Sequence, residues 1–172
     1  MICTKVDKNS INSCSSSEII NDIFDDKRKD CFLRKIEISQ FTSLGVLIVD
    51  DDQYNIQVLK AMLTSMNYKT DWARNGQEAI EKIEYNLKDN KIFEVILMDY
   101  NMPVMNGVEA TLILNDKIQK NLIPFIEIIG ITAYIDEESI KKCIDAGMKI
   151  VLTKPVSKAK LEAIMKEYNF DF

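Results

Sequence analysis

Short apolar runs alternate with amphipathic segments from Leu44 onward, and this alternation restricts the folds that the chain can adopt. The apolar runs, each short enough to be a buried strand, lie at 46–49, 69–72, 93–98, 125–131 and 150–153. The segments with helical periodicity lie at about 53–66, 76–88, 107–120, 136–146 and 157–168. Five strands alternating with five helices predict an α/β fold: a doubly wound five-stranded parallel sheet with helices on both faces. Ligand sites in such sheets lie beyond the carboxyl ends of the strands.

The size and charge of the chain exclude several classes of function. Its 172 residues suffice for one domain and a tail, but not for two full domains. The net charge of −5 argues against nonspecific binding to nucleic acid. Histidine is absent, which excludes histidine acid–base catalysis and makes a zinc site improbable.

Three further features indicate where the protein resides. No apolar run approaches the ~18 residues that a membrane-spanning helix needs, so no membrane segment is expected. The segment Met1–Lys5 lacks the apolar core of a signal peptide. The four cysteines include no C-x-x-C pair, and free thiols are expected. We therefore expect an intracellular, cytoplasmic protein.

Residues 1–43 differ in composition from the rest of the chain. Serine, asparagine, aspartate and lysine dominate there, and one stripe with helical spacing is formed by Ile19, Ile20, Ile23 and Phe24. One interpretation is a flexible arm or linker with a single marginal helix. The other is an element that docks on the domain or continues from an upstream one.

Polar side chains stand at the carboxyl ends of four predicted strands. They are Asp50-Asp51-Asp52 after the first strand, Asp99 after the third, Thr132 after the fourth and Lys154 after the fifth. In a parallel sheet all four positions fall on one edge, so these side chains should converge. A single acidic residue after a strand is commonly a helix N-cap, and Asp52 is expected to be one. That explanation does not account for the other three aspartates.

The convergence of Asp50, Asp51 and Asp99 predicts a metal site. Two carboxylates about 4–5 Å apart repel each other by roughly 3–4 kcal/mol at an effective dielectric constant near 20. Without compensation, this repulsion would raise their pKa values and destabilise the fold. A hard divalent cation removes the repulsion, and ligands that are all oxygen atoms favour Mg²⁺.

Lys154 and Thr132 supply what a phosphoryl group requires. The ammonium provides a fixed positive charge and the hydroxyl a neutral donor, while Mg²⁺ would neutralise charge on the other side. Ala133, beside Thr132, is small and leaves room for an added group. The residues therefore predict a phosphoryl-binding site above Asp99.

Four motifs, in their order and spacing, resemble those of response-regulator receiver domains. They are Val49-Asp50-Asp51, the segment DYNMPVMNG from Asp99 to Gly107, ITA at 131–133 and TKP at 153–155. The resemblance covers about 44–168, and it implies a receiver domain at 44–172 with the flavodoxin-like strand order 2-1-3-4-5. The motif wording is most similar to receivers of hybrid histidine kinases.

The resemblance also implies roles for individual residues. Asp99 would accept the phosphoryl group, and Thr132 and Lys154 would contact its oxygens. Mg²⁺ would be held by carboxylates of Asp51 and Asp99, by the backbone carbonyl of Asn101, and by Asp50 through a water molecule. The implied partner is a histidine kinase or a histidine-containing phosphotransfer protein. The chain would then be a signalling receiver that catalyses only its own phosphorylation and dephosphorylation.

Two other functions are less favoured. A Mg²⁺-dependent phosphohydrolase with Asp99 as nucleophile would resemble D-x-D sites, in which the second aspartate is the general acid; here that position is Asn101. A cofactor site similar to that of flavodoxin needs a phosphate loop rich in serine, threonine and glycine after the first strand. This chain has three aspartates there, which would repel a phosphate.

One residue departs from the family pattern, and one proline fits it. Three residues before the lysine the family commonly has Phe or Tyr, whose ring carries the phosphorylation signal to the outer surface, whereas this chain has Val151. We therefore expect a relay or phosphate sink read at the Asp99 edge rather than a strong allosteric switch. Pro155 resembles the family proline that follows a cis peptide bond. Whether the chain stands alone or belongs to a longer kinase stays open.

Overall fold

The structure, a computed structural model, describes residues 40–134 and 136–167. Most of the predicted arm therefore lies outside the described residues, as do its proposed short helix at 19–24 and the cysteines Cys3, Cys14 and Cys31. The remaining cysteine, Cys143, is buried and forms no disulfide.

Five parallel strands form the central sheet, which confirms the predicted α/β fold. The described residues contain the strands β1 (Thr42–Ser43), β2 (Val46–Val49), β3 (Thr70–Ala73), β4 (Lys91–Ile92), β5 (Val95–Asp99), β6 (Glu127–Thr132) and β7 (Ile150–Thr153). The sheet order is β3-β2-β5-β6-β7, which is the predicted order 2-1-3-4-5 once the short β1 and β4 are left out. The winding direction reverses between β2 and β5, so the crevice at their carboxyl ends is the topological switch point.

Helices cover both faces of this sheet, as predicted. They are α1 (Gln53–Ser65), α2 (Gly76–Leu87), α3 (Gly107–Gln119), α4 (Glu137–Asp145) and α5 (Lys158–Glu167). Buried side chains of α1 and α5 form one core cluster with the sheet, and those of α2, α3 and α4 form the other. Successive strand residues alternate between the two clusters because neighbouring side chains point to opposite faces. Among the described helices, none has the length and apolar character needed to cross a bilayer.

Four helices begin at side chains that cap their first turn. The caps are Asp52, Asn75, Asn106 and Asp136 for α1 to α4, in that order. The Asp52 carboxylate accepts the backbone N–H of Tyr54 at 2.8 Å, which confirms its predicted role as a cap. These caps satisfy N–H groups that have no partner within the helix, and they fix where each crossover leaves the sheet edge.

The predicted strand and helix bounds agree with the structure to within two residues, but β1 and β4 were not predicted. These strands pair in parallel, Thr42 opposite Lys91 and Ser43 opposite Ile92, in a separate two-stranded sheet. The strand predicted at 93–98 spans Val95–Asp99. Just before it, the Glu94 N–H donates to the Gly45 carbonyl at 3.0 Å. Although β1 lies in the segment assigned to the arm, the division of the chain at residue 44 stays a prediction.

Gly107 lies where the loop after β5 returns to the end of that strand. Its N–H donates to the carbonyl of Tyr100 at 3.0 Å. A Cβ at this position would collide with the backbone carbonyl oxygen of Asp99 and lie 3.0 Å from Met98 Cγ. Glycine is therefore required here by a close approach of two backbone segments.

We expect Gly107→Ala to destabilise the fold by roughly 1–3 kcal/mol, the usual cost of overpacking a site that cannot relax. The added methyl must displace backbone at the Asp99 strand end, so urea denaturation should show a lower free energy of unfolding. Gly130→Ala is the matched control. A Cβ there meets Met148 Sδ at 2.6 Å, and a flexible thioether moves more easily than a carbonyl. Equal losses in the two variants would contradict the explanation.

Candidate functional site

The carboxyl ends of four neighbouring strands bring the predicted residues together. Asp50 directly follows β2, Asp99 and Thr132 are the last residues of β5 and β6, and Lys154 directly follows β7. Pairing of β2 with β5, and of β6 with both β5 and β7, places these ends side by side. Asp50, Asp99 and Thr132 are all buried. The edge predicted from the sequence is therefore a dense polar cluster on top of the apolar core.

Lys154 bridges the two buried aspartates. Its Nζ lies 2.8 Å from Asp50 Oδ2 and 2.8 Å from Asp99 Oδ1. The lysine is positioned by the strand end, since its backbone N–H donates to the Thr132 carbonyl at 2.7 Å. The peptide bond between Lys154 and Pro155 is cis, as predicted. One ammonium thus neutralises part of the negative charge of two carboxylates at the ends of different strands.

Asp50 is fixed on its other oxygen by the start of α1. Its Oδ1 accepts the backbone N–H of Asp52 at 2.9 Å and the side-chain amide of Asn55 at 3.1 Å. With Lys154 on Oδ2, this carboxylate receives three donors while only 1% of the residue is exposed. A buried carboxylate needs such donors to remain in place.

Asp50, Asp51 and Asp99 form an acidic triad that fits a divalent cation. Each offers one carboxylate oxygen, and these oxygens lie within 4.8 Å of one another. Asp51 is exposed, whereas the other two are buried, so the triad opens to solvent on one side. A set of hard oxygen ligands with more than one negative charge suits Mg²⁺. Asp52 does not belong to the triad, because its carboxylate caps α1.

Thr132 and Asn101 both contact Tyr134, which was not predicted to be part of the site. The Thr132 hydroxyl oxygen accepts the backbone N–H of Tyr134 at 3.0 Å, which leaves the hydroxyl proton able to donate. The side-chain amide of Asn101 donates to the Tyr134 hydroxyl at 3.1 Å. The Tyr134 ring also packs edge-on against Tyr100, with 5.8 Å between centroids.

The loop after Asp99 contains a strained turn. Val104 has a φ of 71°, and the Met105 N–H donates to the Pro103 carbonyl at 2.8 Å across it. A β-branched residue is rare in this region. The Met105 carbonyl accepts the N–H of Gly76 at 3.0 Å, so the start of α2 holds the loop in place. Val104 itself is 83% exposed at the edge of the site.

Two side chains at the site have shifted pKa values. Burial raises the pKa of Asp99 from 3.8 to about 6; Lys154 opposes the shift, and Asp50 and Asp51 add to it. For Lys154, burial alone would lower the pKa, but hydrogen bonds and charge interactions with Asp50 and Asp99 outweigh it and raise the pKa. Without a bound cation, therefore, Asp99 holds a proton more strongly than an ordinary carboxyl group.

Sequence reasoning missed Asn55 and Tyr134, and each had a weak signal. Asn55 lies in the first turn of the helix that follows the aspartate run, where a polar side chain can reach back to the strand end. Tyr134 lies two residues after Thr132, a common spacing for a hydroxyl oxygen to accept a backbone N–H. Neither pattern alone distinguishes a site residue from a surface residue.

We expect Asp99→Asn to stabilise the metal-free fold, and to do so more strongly as the pH rises. The folded-state pKa of about 6 lies above the unfolded value of 3.8, so between them the native state holds a proton that the unfolded state releases. This carboxyl group therefore lowers the free energy of unfolding as pH increases, by up to roughly 3 kcal/mol. Urea denaturation with EDTA, between about pH 4 and about pH 7, should show the gain growing.

Asp136→Asn provides a control of opposite sign. The pKa of Asp136 is lowered, chiefly because its carboxylate accepts the backbone N–H of Ser139 at the start of α4. Its contribution to stability is therefore present above the unfolded pKa and lost on acidification. Its replacement should cost more at neutral than at acidic pH. A gain from Asp99→Asn that does not change with pH would contradict the prediction.

Residues 46–166 match the response regulator receiver domain family. The chain is 34% identical over 123 residues to hybrid signal transduction histidine kinase L of Dictyostelium discoideum, covering 72% of this chain and 7% of that protein. It is 32% identical over 128 residues to an osmosensing histidine protein kinase of Saccharomyces cerevisiae, covering 74% of this chain and 10% of that protein. The chain thus spans a tenth or less of the length of these relatives.

Solved structures of a receiver domain and of a chemotaxis protein are also similar to this chain. The receiver domain of a sensor histidine kinase from Pseudomonas aeruginosa, solved with a magnesium ion in its active-site cleft, is 28% identical with a TM-score of 0.62. That similarity covers 74% of this chain and 98% of the other. A chemotaxis protein of Vibrio cholerae is 27% identical with a TM-score of 0.63, covering 74% and 99%. With a family match over most of its length and the same fold, this chain belongs to the response regulator receiver domain family.

Proposed function

We propose that this domain accepts a phosphoryl group on Asp99 from a phosphohistidine donor, with Mg²⁺ bound, and passes the signal on by protein contacts or onward phosphotransfer. The observation that carries the proposal is the position of the Asp99 carboxylate. This carboxylate is buried at the switch point of the sheet, and the Lys154 ammonium lies 2.8 Å from it. The carboxylates of Asp50 and Asp51 lie close enough to share a metal ion with it. This arrangement supports a nucleophile inside a phosphoryl-binding site.

The proposed transfer requires one bond exchange. An oxygen of ionised Asp99 attacks the phosphorus, and the phosphorus–nitrogen bond to the donor imidazole breaks as that ring regains its electron pair. In this proposal Lys154 donates to the phosphoryl oxygens as a cation and the Thr132 hydroxyl donates as a neutral group. The 2.8 Å contact of Lys154 with Asp99 and the donor capacity left on Thr132 support these roles. Asp99 is buried, which limits the access of water to its carboxylate.

Mg²⁺ would supply the positive charge that the site lacks. We assign its protein ligands to carboxylates of Asp51 and Asp99, the backbone carbonyl of Asn101, and Asp50 through a water molecule. The donors on both oxygens of Asp50 support an indirect role for that residue, because its lone pairs are largely engaged. The exposed Asp51 is available for direct ligation.

The partners follow from the same chemistry. The relatives are histidine kinases, and we infer that a histidine kinase or a histidine-containing phosphotransfer protein is the donor for this chain. We also propose that the protein is located in the cytoplasm. The domain would then catalyse only its own phosphorylation and dephosphorylation, with the readout at the Asp99 edge.

The phosphohydrolase alternative is not favoured by the site. The position of its general acid is occupied by Asn101, whose side chain is an amide and donates to the Tyr134 hydroxyl. The protons of an amide are too weakly acidic to be transferred to a leaving group at neutral pH. Repeated turnover of p-nitrophenyl phosphate by the wild-type protein would support the alternative instead.

Asp99→Asn should abolish phosphorylation by acetyl phosphate, because the amide is a poor nucleophile and carries no charge. With Mg²⁺, the wild-type protein should gain the mass of one phosphoryl group, and EDTA should prevent the gain. Asp116→Asn, which changes an exposed carboxylate on α3, is the matched control and should be labelled like the wild type. Full labelling of Asp99→Asn by intact mass spectrometry would disprove the acceptor assignment.

Asp51→Ala and Asp52→Ala should separate metal binding from helix capping. We expect Asp51→Ala to weaken Mg²⁺ binding by about tenfold or more, since it removes a charged ligand. Asp52→Ala removes the cap of α1, so it should cost about 1 kcal/mol in unfolding free energy and leave Mg²⁺ affinity nearly unchanged. Isothermal titration calorimetry and urea denaturation measure the two effects. Equal Mg²⁺ affinities in the two variants would contradict the ligand assignment.

A further inference from the structure

The geometry points to Asn55 as a positioning residue for phosphoryl acceptance, one that acts by fixing the carboxylate of Asp50. This inference rests on the proposed function, because it concerns the same Mg²⁺ and phosphoryl site. Asn55 lies on α1, carries no charge and, within the described part of the chain, makes no hydrogen bond to Asp99 or Lys154. Its effect must therefore pass through Asp50.

The two oxygens of Asp50 have separate partners. Oδ1 accepts the Asp52 N–H at 2.9 Å and the Asn55 amide at 3.1 Å. Within the described part of the chain, Oδ2 accepts only the Lys154 ammonium, at 2.8 Å. Two donors on one oxygen fix the plane of the carboxylate as well as its position. Oδ2 is thereby directed toward the site and Oδ1 toward the helix.

Asn55 is suited to this role because its helix turn is anchored. The next residue, Ile56, is 1% exposed and belongs to the apolar core beneath the sheet edge, as does Leu59. The Ile56 N–H also donates to the Asp52 carbonyl at 3.1 Å. Asn55 therefore projects from a rigid turn, and the amide transfers that rigidity to the buried carboxylate of Asp50.

The consequence of this contact reaches the acceptor through Lys154. Lys154 Nζ lies 2.8 Å from both Asp50 Oδ2 and Asp99 Oδ1, so its location between the two strands depends on where Oδ2 lies. Without the Asn55 amide, Asp50 retains a single backbone donor on Oδ1 and can rotate. Lys154 would then move with the Asp50 carboxylate, and the Asp99 carboxylate would be less well positioned to bind Mg²⁺.

Asn55→Leu, which removes the amide and keeps the size, should weaken Mg²⁺ binding by about tenfold, the usual effect of losing a residue that orients a metal ligand. Phosphorylation by acetyl phosphate at a fixed, subsaturating Mg²⁺ concentration should slow by a similar factor. Asn86→Leu is the matched control, because Asn86 is also a half-buried helical asparagine whose amide donates to a carbonyl, that of Lys82, at 2.8 Å. It should leave Mg²⁺ affinity unchanged. Asn55→Ala serves as a second variant if Asn55→Leu does not fold.

A second measurement tests whether Asn55 acts through Asp50. In an Asp50→Ala background the acceptor of the amide is gone, so adding Asn55→Leu should cause no further loss of Mg²⁺ affinity. A purely structural role for Asn55 would lower the free energy of unfolding in both backgrounds and leave the Mg²⁺ dissociation constant alone. Calorimetric titration and urea denaturation of the four proteins distinguish these results.

A dissociation constant for Asn55→Leu within twofold of the wild-type value, or additive losses in the double variant, would overturn the inference. If the wild-type protein itself binds no Mg²⁺ and accepts no phosphoryl group, the proposed function fails and the inference with it. If the wild-type protein does both and Asn55→Leu is unchanged, only the inference fails.

Discussion

The ammonium of Lys154, shared at 2.8 Å between Asp50 and Asp99, is the contact on which the arrangement of the site depends. It joins carboxylates at the ends of two adjacent strands, β2 and β5, to the lysine that follows the edge strand β7, so it depends on the pairing of β7 with β6. Buried ion pairs contribute little net stability, because removing the charges from water offsets their attraction. Their loss is costly all the same, since a missing lysine would leave two buried carboxylates uncompensated. The contact thus determines position more than it adds stability.

The charges that the described residues bring to this edge do not balance. Three carboxylates and one ammonium leave an excess of two negative charges when all are ionised, which a single divalent cation would cancel. The raised pKa of Asp99 is the consequence of burial and of this excess in the absence of a cation. A bound cation would favour the ionised form of Asp99, which is the form that can attack phosphorus. Under the proposed function, metal binding and activation of the acceptor are therefore one electrostatic event.

The alternation of short strands and helices predicted the parallel sheet, and the polar residues at the strand ends predicted the convergence of the site. The strand order was implied by the resemblance to receiver domains. Asp50, Asp99 and Lys154 needed only their places at strand ends to be brought together. The small sheet of β1 and β4 could not be predicted, because two residues are too few to display a period. Asn55 was missed for a different reason: whether a helical amide faces solvent or a strand end depends on how the helix is oriented, which local sequence does not specify.

Val151 limits how a change at Thr132 could spread through the domain. Its side chain is half-buried against the core and lies opposite Gly130 in the sheet. The space above that glycine is already filled, since a Cβ there would lie 2.6 Å from Met148 Sδ. The Val151 side chain, which is branched and has no ring, therefore has no free space to move into beside Gly130. Thr132 instead contacts the protein surface: its hydroxyl oxygen accepts the N–H of Tyr134, and Tyr134 is 47% exposed. A ligand shifts an equilibrium only through contacts that differ between two states. Under the proposed function, we therefore expect phosphorylation to change the exposed edge beside Asp99 rather than a distant face.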